Sequence, residues 1–418
     1  MISKGSLVLP TLLSASLALA QGQGNDTGSS KVATAWFAGW HTNTTPSFTL
    51  DDVSWDKYTK LTYSFAETAP DGSLDLGNSN ATLLPEFVAR AKQNNVTPAV
   101  SIGGWAGSRF FSSAVATPEN RTAYVKTVVD FAKQYELPAI DFDWEYPNNQ
   151  GLGCNVISAN DTANFLAFLQ ELKADEFGAT LQLSAATAIN PFMDETGSPS
   201  TNVTAFAEVF DYIAIMNYDL WGTWSASVGP NAPLNDSCAA PENQQGSAVS
   251  AVTAWNDAGM PLDKIVLGVP AYGHSFAVNK TSAFNGTELA LYPAFNATGF
   301  PKGDSWDDEP GVDTCGNKTN QGGVINFWGL VDQGYLGCDG QPEDDVPYLF
   351  DDCSKTAYVY NTTTEVLISY DSEESFQAKG EFIQTKGLRG FAIWEAGGDY
   401  EDILLDAIRQ GAGFSTEN

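Results

Sequence analysis

The chain has 418 residues with 20 Lys and Arg against 51 Asp and Glu, which gives a formal net charge of −31. Binding to nucleic acid needs basic patches, so this charge balance excludes a nucleic-acid partner. Hydrophobic residues make up 43% of the chain, which is ample for a large core and excludes global disorder.

The N-terminus has the pattern of an export signal. Lys4 precedes an apolar stretch over residues 7–19, and the stretch ends in the small-x-small sequence Ala18-Leu19-Ala20. Residues 1–20 are therefore predicted to be a secretory signal peptide. Thirteen Asn-x-Ser/Thr sequons agree with export and glycosylation. We expect a secreted, extracellular glycoprotein with no membrane span.

Short β-rich runs alternate with amphipathic helical segments along the chain. The predicted strands are 33–40, 60–66, 98–103, 139–144, 181–186, 212–216, 265–269 and 390–394. The predicted helices are 84–93, 121–135, 161–174, 246–258, 372–386 and 400–410. Eight strands alternating with helices predict an α/β fold, a (β/α)8 TIM barrel closed by a parallel sheet.

One long gap interrupts this rhythm between the seventh and eighth strands. Residues 278–360 are rich in Gly, Asn, Asp and aromatics, with short β-like pieces at 324–327 and 357–360. A structureless loop of that length is uncommon, so we predict a small α+β insertion subdomain. The barrel then comprises residues 32–277 and 361–415.

The cysteines fit an oxidising compartment. Five are present, which allows up to two disulfides with one cysteine left over, in a pairing that the sequence leaves open. No CxxC spacing occurs, and the two histidines, His41 and His274, are far apart in the chain. We therefore expect no metal site.

The densest group of chemically active residues is Ala139-Ile-Asp-Phe-Asp-Trp-Glu-Tyr-Pro147. On a strand, Asp141, Asp143 and Glu145 share one face and the three aromatics share the other. The acids would point into the barrel and end at its C-terminal mouth, where barrel enzymes carry their active sites. Three neighbouring carboxyls cannot all ionise freely, so at least one retains a proton. Glu145, the outermost, is the natural general acid.

This strand resembles the DGxDxDxE signature of the family 18 glycoside hydrolases, the chitinase family, although Pro138 and Ala139 replace its first Asp and Gly. Further segments resemble the family's other barrel strands in the same order. They are Ser101-Ile-Gly-Gly-Trp105, Met216-Asn-Tyr-Asp-Leu220, Leu267-Gly-Val-Pro-Ala-Tyr-Gly273 and Gly390-Phe-Ala-Ile-Trp394. The insertion is similar to the subdomain that deepens the cleft in one branch of the family.

The resemblance implies a retaining mechanism in which the acetamido group of the substrate is the nucleophile. Glu145 would protonate the glycosidic oxygen and later deprotonate water. Asp143 would orient the acetamido N–H and stabilise the positive intermediate. Asp141, which lies beneath Asp143, would set the protonation state of Asp143. Tyr218 would donate a hydrogen bond to the acetamido carbonyl. No cofactor is implied.

The resemblance also implies a set of substrate-binding residues. Trp394 would form the floor under the −1 sugar, since sugar rings pack on flat aromatic rings. The other implied cleft residues are Trp36, Phe65, Gly104, Trp105, Met216, Asp219, Trp224 and Tyr272. His274 stands where relatives often carry arginine, and both a structural and a substrate-binding role stay open.

Three functions remain for such a barrel. The favoured one is a monomeric chitinase that hydrolyses the β-1,4 bonds of chitin and chito-oligosaccharides. The alternatives are a chitin-binding lectin and an endo-β-N-acetylglucosaminidase that acts on N-glycans. All three acids are present, which disfavours the lectin.

Overall fold

The computed structural model describes residues 30–414. The predicted signal peptide lies outside them and stays a prediction. Within the described range, no helix is both long and apolar enough to cross a bilayer.

Eight parallel strands close into a barrel, which confirms the predicted (β/α)8 fold. They pair in chain order, and the first strand pairs with both the second and the last. In this order, called barrel strands 1 to 8 below, they are Val32–Ala38, Lys60–Thr68, Thr97–Gly103, Ala139–Asp143, Gln182–Thr187, Tyr212–Met216, Ile265–Pro270 and Gly390–Trp394. A two-residue strand, Leu74–Asp75, extends strand 2 as an antiparallel hairpin.

Helices surround the barrel, and each predicted helix is present within a few residues of its expected ends. The α-helices are Leu84–Gln93, Phe111–Val115, Pro118–Gln134, Asp161–Ala174, Thr204–Val209, Ala248–Asp257, Lys280–Ala283, Phe327–Asp332, Glu373–Lys386 and Ile403–Gly411. Short 3-10 turns occupy Gly39–Asn43, Trp55–Lys57, Gly77–Ser79, Gly107–Phe110, Gly178–Thr180, Pro241–Asn243 and Leu262–Lys264. The largest apolar cluster lies between the barrel strands and these helices.

A second, antiparallel sheet lies between barrel strands 7 and 8 in the chain. Its strands, in spatial order, are Val324–Asn326, Tyr272–Ala277, Val366–Tyr370, Thr356–Asn361 and Tyr348–Asp351. Two small hairpins accompany it, Phe284–Asn285 with Glu288–Leu289 and Gly311–Val312 with Lys318–Thr319. This sheet extends beyond 278–360 on both sides, because Tyr272–Ala277 begins two residues after barrel strand 7 ends.

Two disulfides are present and one cysteine is left over, as the cysteine count predicts. Cys154 is joined to Cys315, and Cys238 to Cys353. Cys338 is exposed and outside any disulfide. The structure decides the pairing, because it brings together loops that are far apart in the chain.

Candidate active site

Barrel strand 4 separates acids from aromatics as the two-residue alternation predicts. Phe142 packs on Phe165 and Phe168 of the helix Asp161–Ala174, with ring centroids 5.8 and 5.7 Å apart. Asp141 and Asp143 lie on the opposite face, inside the barrel, and both are buried. The hydrophobic outer face therefore fixes the orientation of the acids.

The expected position of Tyr146 on the aromatic face is wrong. The strand ends at Asp143, so the alternation does not apply beyond it. The Tyr146 side chain forms a hydrogen bond with the side chain of Glu145 instead. Trp144 still packs outward, with its ring stacked on Phe111 at 5.0 Å.

Asp141 is the innermost acid and accepts hydrogen bonds from both neighbouring strands and from strand 1. Ser184 donates to one carboxylate oxygen at 2.6 Å. Ser101 donates to the other at 2.8 Å, and the Trp36 indole N–H reaches it at 3.3 Å. A carboxylate that accepts three hydrogen bonds is held in one orientation. The Asp141 side chain therefore has a fixed position beneath the two outer acids.

The two outer acids retain protons more readily than free carboxyls do. Burial, and then the charges of Glu145 and Asp141, raise the pKa of Asp143 well above its usual value. Burial raises the pKa of Glu145 to about 7, with a smaller contribution from Asp219, while the hydrogen bond from Tyr146 opposes the rise. The Oδ1 atom of Asp143 is buried and has no hydrogen-bond partner among the described residues.

Hydrogen bonds and close contacts to the backbone fix the end of barrel strand 4. The Ser108 hydroxyl bonds to the carbonyl of Asp143 at 2.9 Å and accepts the N–H of Glu145 at 2.9 Å. The Gly104 N–H also donates to the Asp143 carbonyl, at 2.8 Å. Gly103 has φ +115°, and a Cβ on it would lie 2.1 Å from the same oxygen. A glycine at position 103 is needed for this close approach.

A second polar group lies at the ends of strands 6 and 7. Asp219 accepts hydrogen bonds from the Tyr272 hydroxyl at 2.7 Å and from His274 Nε2 at 2.8 Å. The Tyr218 ring meets Tyr272 edge-on at 6.2 Å, and the nearby charge of Asp143 contributes, after burial, to raising the pKa of Tyr218. His274 is buried and Trp224 covers it edge-on at 5.3 Å. The structure thus gives His274 a fixed partner, Asp219.

Aromatic rings lie in more than one group around the mouth. Trp394 stacks on Phe65 at 5.5 Å and lies 6.3 Å from Trp40, and Trp40 stacks on Phe65 at 6.1 Å. Trp105 and Trp224 are largely exposed, at 52% and 63%. The exposed rings of Trp105 and Trp224 can pack against a flat apolar ligand surface, and the half-buried cluster of Trp394, Phe65 and Trp40 lies beside the acids.

Two of the predicted cleft residues lie deeper. Trp36 is buried inside the barrel, where its indole N–H points at Asp141. Met216 is partly buried and packs against the apolar cluster inside the barrel. Gly104 is pressed against Phe65, since a Cβ there would lie 2.9 Å from that ring.

Sequence reasoning missed two largely buried titratable side chains next to Trp40. They are His41 and Glu395, whose pKa values are shifted towards the uncharged form. The Trp40 indole N–H donates to His41 Nε2 at 2.9 Å, and a Glu395 oxygen lies 3.4 Å from the same nitrogen. Burial lowers the pKa of His41 to about 4 and raises that of Glu395 to about 8. The Trp306 ring stacks on His41 at 3.7 Å. Trp40 and His41 are adjacent in the chain, but Trp306 and Glu395 belong to distant segments, and no local pattern links them to this pair.

In residues 30–414, no group of three or more His, Cys, Asp or Glu side chains is arranged to hold a metal ion. The groups that the site offers for chemistry are its carboxyl groups, with Tyr218 and the aromatic rings beside them.

The fold and site together define a (β/α)8 barrel with buried acids at its C-terminal mouth, the position of active sites in this architecture. Residues 33–399 match the model of the glycosyl hydrolases family 18. The chain belongs to this family, and the expected membership is confirmed.

Similar proteins are known in fungi. The chain is 56% identical over 386 residues to a "chitinase-like effector" of Moniliophthora roreri, covering 92% of this chain and 93% of that protein. It is 52% identical over 400 residues to a "chitinase-like effector" of Moniliophthora perniciosa, covering 94% and 90%. The crystal structure of a chitinase from Rhizomucor miehei matches with a TM-score of 0.82 at 30% identity, covering 91% of this chain and 100% of that one.

Proposed function

We propose that this protein is a chitinase that hydrolyses β-1,4 bonds between N-acetylglucosamine units of chitin and chito-oligosaccharides. The observation that carries the proposal is Glu145, a buried carboxyl at the barrel mouth with its pKa raised to about 7. An acid that keeps its proton in mildly acidic to neutral water can protonate a leaving glycosidic oxygen. Membership in family 18 supports the same reaction class.

The proposed mechanism is retaining and uses the acetamido oxygen of the −1 sugar as the nucleophile. Glu145 protonates the leaving oxygen, then takes a proton from the water that opens the intermediate. Asp143 and Glu145 come from one strand end, so they approach a bound sugar from the same side. A nucleophile supplied by the protein would need a second carboxyl on the opposite face of the sugar. Asp143 and Glu145 do not supply one.

Asp143 and Tyr218 are proposed to hold the acetamido group. Asp143 has a buried oxygen without a hydrogen-bond partner among the described residues, and we propose that the carboxyl group turns to accept the acetamido N–H and then faces the positive charge of the intermediate. Tyr218 is proposed to donate its hydroxyl to the acetamido carbonyl. Asp141 is proposed to act through Asp143, since its own oxygens are occupied by Ser101, Ser184 and Trp36.

The aromatic surface is proposed to bind the polymer. Trp394, with Phe65 beside it, would carry the −1 sugar, and the exposed rings of Trp105 and Trp224 would contact sugars on the other side of the cleaved bond. Asp219 and Tyr272 would add hydrogen bonds. Trp36, given its burial and its bond to Asp141, is proposed to position the acid.

A binding protein without turnover is the second candidate, because both Moniliophthora relatives are named chitinase-like effectors. The three acids of strand 4 are present in this chain, and they favour catalysis. An endo-β-N-acetylglucosaminidase acting on N-glycans remains a third candidate with the same acids.

Hydrolysis of chitotetraose by the wild type and by Glu145→Gln distinguishes these functions. We expect the wild type to release chito-oligosaccharides with retained anomeric configuration, and Glu145→Gln to lose about 10²–10⁴-fold in kcat while still binding the oligomer. Tight binding without hydrolysis by the wild type would establish the binding protein instead. Deglycosylation of a high-mannose glycoprotein with no cleavage of chitotetraose would establish the endoglucosaminidase.

Secretion, a monomeric state and the division into a barrel and an inserted subdomain are also proposed. The two disulfides support an oxidising, extracellular location. Detection of the processed protein in the culture medium of an expressing fungal host tests secretion, and light scattering tests the monomer.

A further inference from the structure

The Cys154–Cys315 disulfide joins two segments that leave the barrel from well-separated strands. Cys154 lies in the loop after barrel strand 4, and Cys315 lies in the chain between strands 7 and 8. The segment with Cys315 leaves the barrel from strand 7, and in the closed order of eight strands strand 7 is three places from strand 4 in one direction and five in the other. All strands are parallel, so both segments leave from the C-terminal ends of their strands, where Glu145 lies. The shortest connection between them crosses the mouth.

The loop that carries Cys154 is attached to the active site itself. The neighbouring Asn155 is buried, and its side-chain amide donates to the backbone carbonyl of Glu145 at 2.8 Å. Val156, the next residue, donates its N–H to the carbonyl of Arg109 at 3.0 Å. This end of the disulfide is therefore fixed next to the proposed general acid.

The other end is a hairpin that extends from the second sheet. We call residues 309–321 the hairpin arm. Its turn is held by Asp313, whose carboxylate accepts the backbone N–H groups of Cys315 at 2.9 Å and Asn317 at 2.8 Å. Most residues of the arm are exposed, including Val312 at 68%. The turn is ordered by its own hydrogen bonds, while the arm as a whole has little of its surface covered by the rest of the protein.

The base of the arm is anchored beside the site. Asp307 accepts the N–H groups of Gly323 and Val324, and Val324 pairs with His274 in the second sheet. From Asp308 to Cys315 the extended chain spans at most about 25 Å. That reach allows a path over the mouth but not a long detour around the outer loops.

We propose that the hairpin arm, held by the Cys154–Cys315 disulfide, forms a roof over the barrel mouth, so that a sugar chain reaches Glu145 by threading beneath it. This proposal deepens the proposed function and rests on the same site. A roofed passage takes an unbranched chain of several sugars and releases it slowly, because the chain must slide out along its own axis. It excludes branched N-glycans, whose arms cannot pass beneath a covalently closed strap.

The dissociation rate of chitohexaose tests the roof independently of catalysis. The measurement uses Glu145→Gln with and without the pair Cys154→Ser and Cys315→Ser. We expect at least tenfold faster dissociation when the roof is open, with little change for chitobiose. The matched control in the same background is Cys238→Ser with Cys353→Ser, which removes the other disulfide and should leave the rate unchanged.

Equal dissociation rates in the roof variant and the control would overturn the proposal. A melting curve shows whether the variant with Cys154→Ser and Cys315→Ser is folded. If it is not, a second variant, which deletes residues 311–319 and carries Cys154→Ser, replaces it in the measurement. If chitohexaose dissociates faster from the roof variant, as expected, but the wild type does not cleave it, the proposed hydrolytic function is wrong and the roof is supported. If chitohexaose does not bind at all, both fail.

In the active protein, opening the roof should lower the ratio of disaccharide to longer products released from insoluble chitin. It should also permit binding of a branched high-mannose glycopeptide. An equal loss of activity on chitotetraose and on chitin would instead mean that the disulfide merely supports Glu145 through Asn155, and would contradict a roof.

Discussion

The alkaline limb of the pH–activity profile should report the proton on Glu145. With a pKa of about 7, Glu145 is about 90% protonated at pH 6 and about 10% at pH 8. The value of kcat/KM for chitotetraose should therefore fall about tenfold between pH 6 and 8, because only the protonated form can act as the acid. A carboxyl at its ordinary pKa would lose activity in the same way near pH 4 to 5.

The change Asp219→Asn should move this limb to lower pH. Asp219 carries a negative charge that helps to raise the pKa of Glu145, and asparagine keeps an oxygen for Tyr272 and His274. Two unit charges 4 Å apart interact by about 1 kcal/mol in water, which corresponds to about 0.7 of a pH unit. The Asp219 side chain is 48% exposed, so we expect a smaller displacement that decreases further with added salt.

The assay is kcat/KM for chitotetraose from pH 4 to 9 at two salt concentrations. Asp130→Asn is the matched control, since Asp130 is similarly exposed, at 56%, on a helix outside the barrel. A limb that stays in place in Asp219→Asn, or moves to higher pH, would refute the electrostatic reasoning. A wild-type limb near pH 4.5 would refute the assignment of Glu145 as a buried acid.

Two further changes test the buried charges. Glu395→Gln should stabilise the fold increasingly as the pH rises from about 4.5 to 8, because the wild type must keep a proton on Glu395, whose pKa is about 8 in the folded state; parallel melting curves across this range would contradict it. Lys379→Met should destabilise the fold by about 3–5 kcal/mol, since it leaves Asp371 charged and unpaired in a site where both side chains are buried. The double variant with Asp371→Leu should recover much of that loss in urea unfolding, and an equally unstable double variant would exclude the ion-pair explanation.

Local sequence patterns sufficed for the barrel and for the orientation of its central acids. Barrel strand 4 places Phe142 under a helix and Asp141 inside, because side chains alternate with a period of two and apolar faces must be buried. The order of strands and helices likewise specified the closed parallel sheet.

The pattern no longer held where the regular strand ended. Tyr146 turned towards Glu145 because strand pairing stops at Asp143. Similarly, the bond from Trp36 to Asp141 and the group of His41 with Glu395 depend on barrel closure, which brings strands 1, 4 and 8 together. The periodicity of one segment carries no information on contacts between residues of different strands.

What the sequence by itself determined is the set of elements and the chemical groups that each presents, since these depend on neighbours within a few residues. Only the tertiary structure decided the disulfide pairing, the donors around Asp141 and the burial that raises the pKa of Glu145 to about 7. Each of these is set by groups from distant strands and loops, so it exists only once the barrel has closed and water has left its interior.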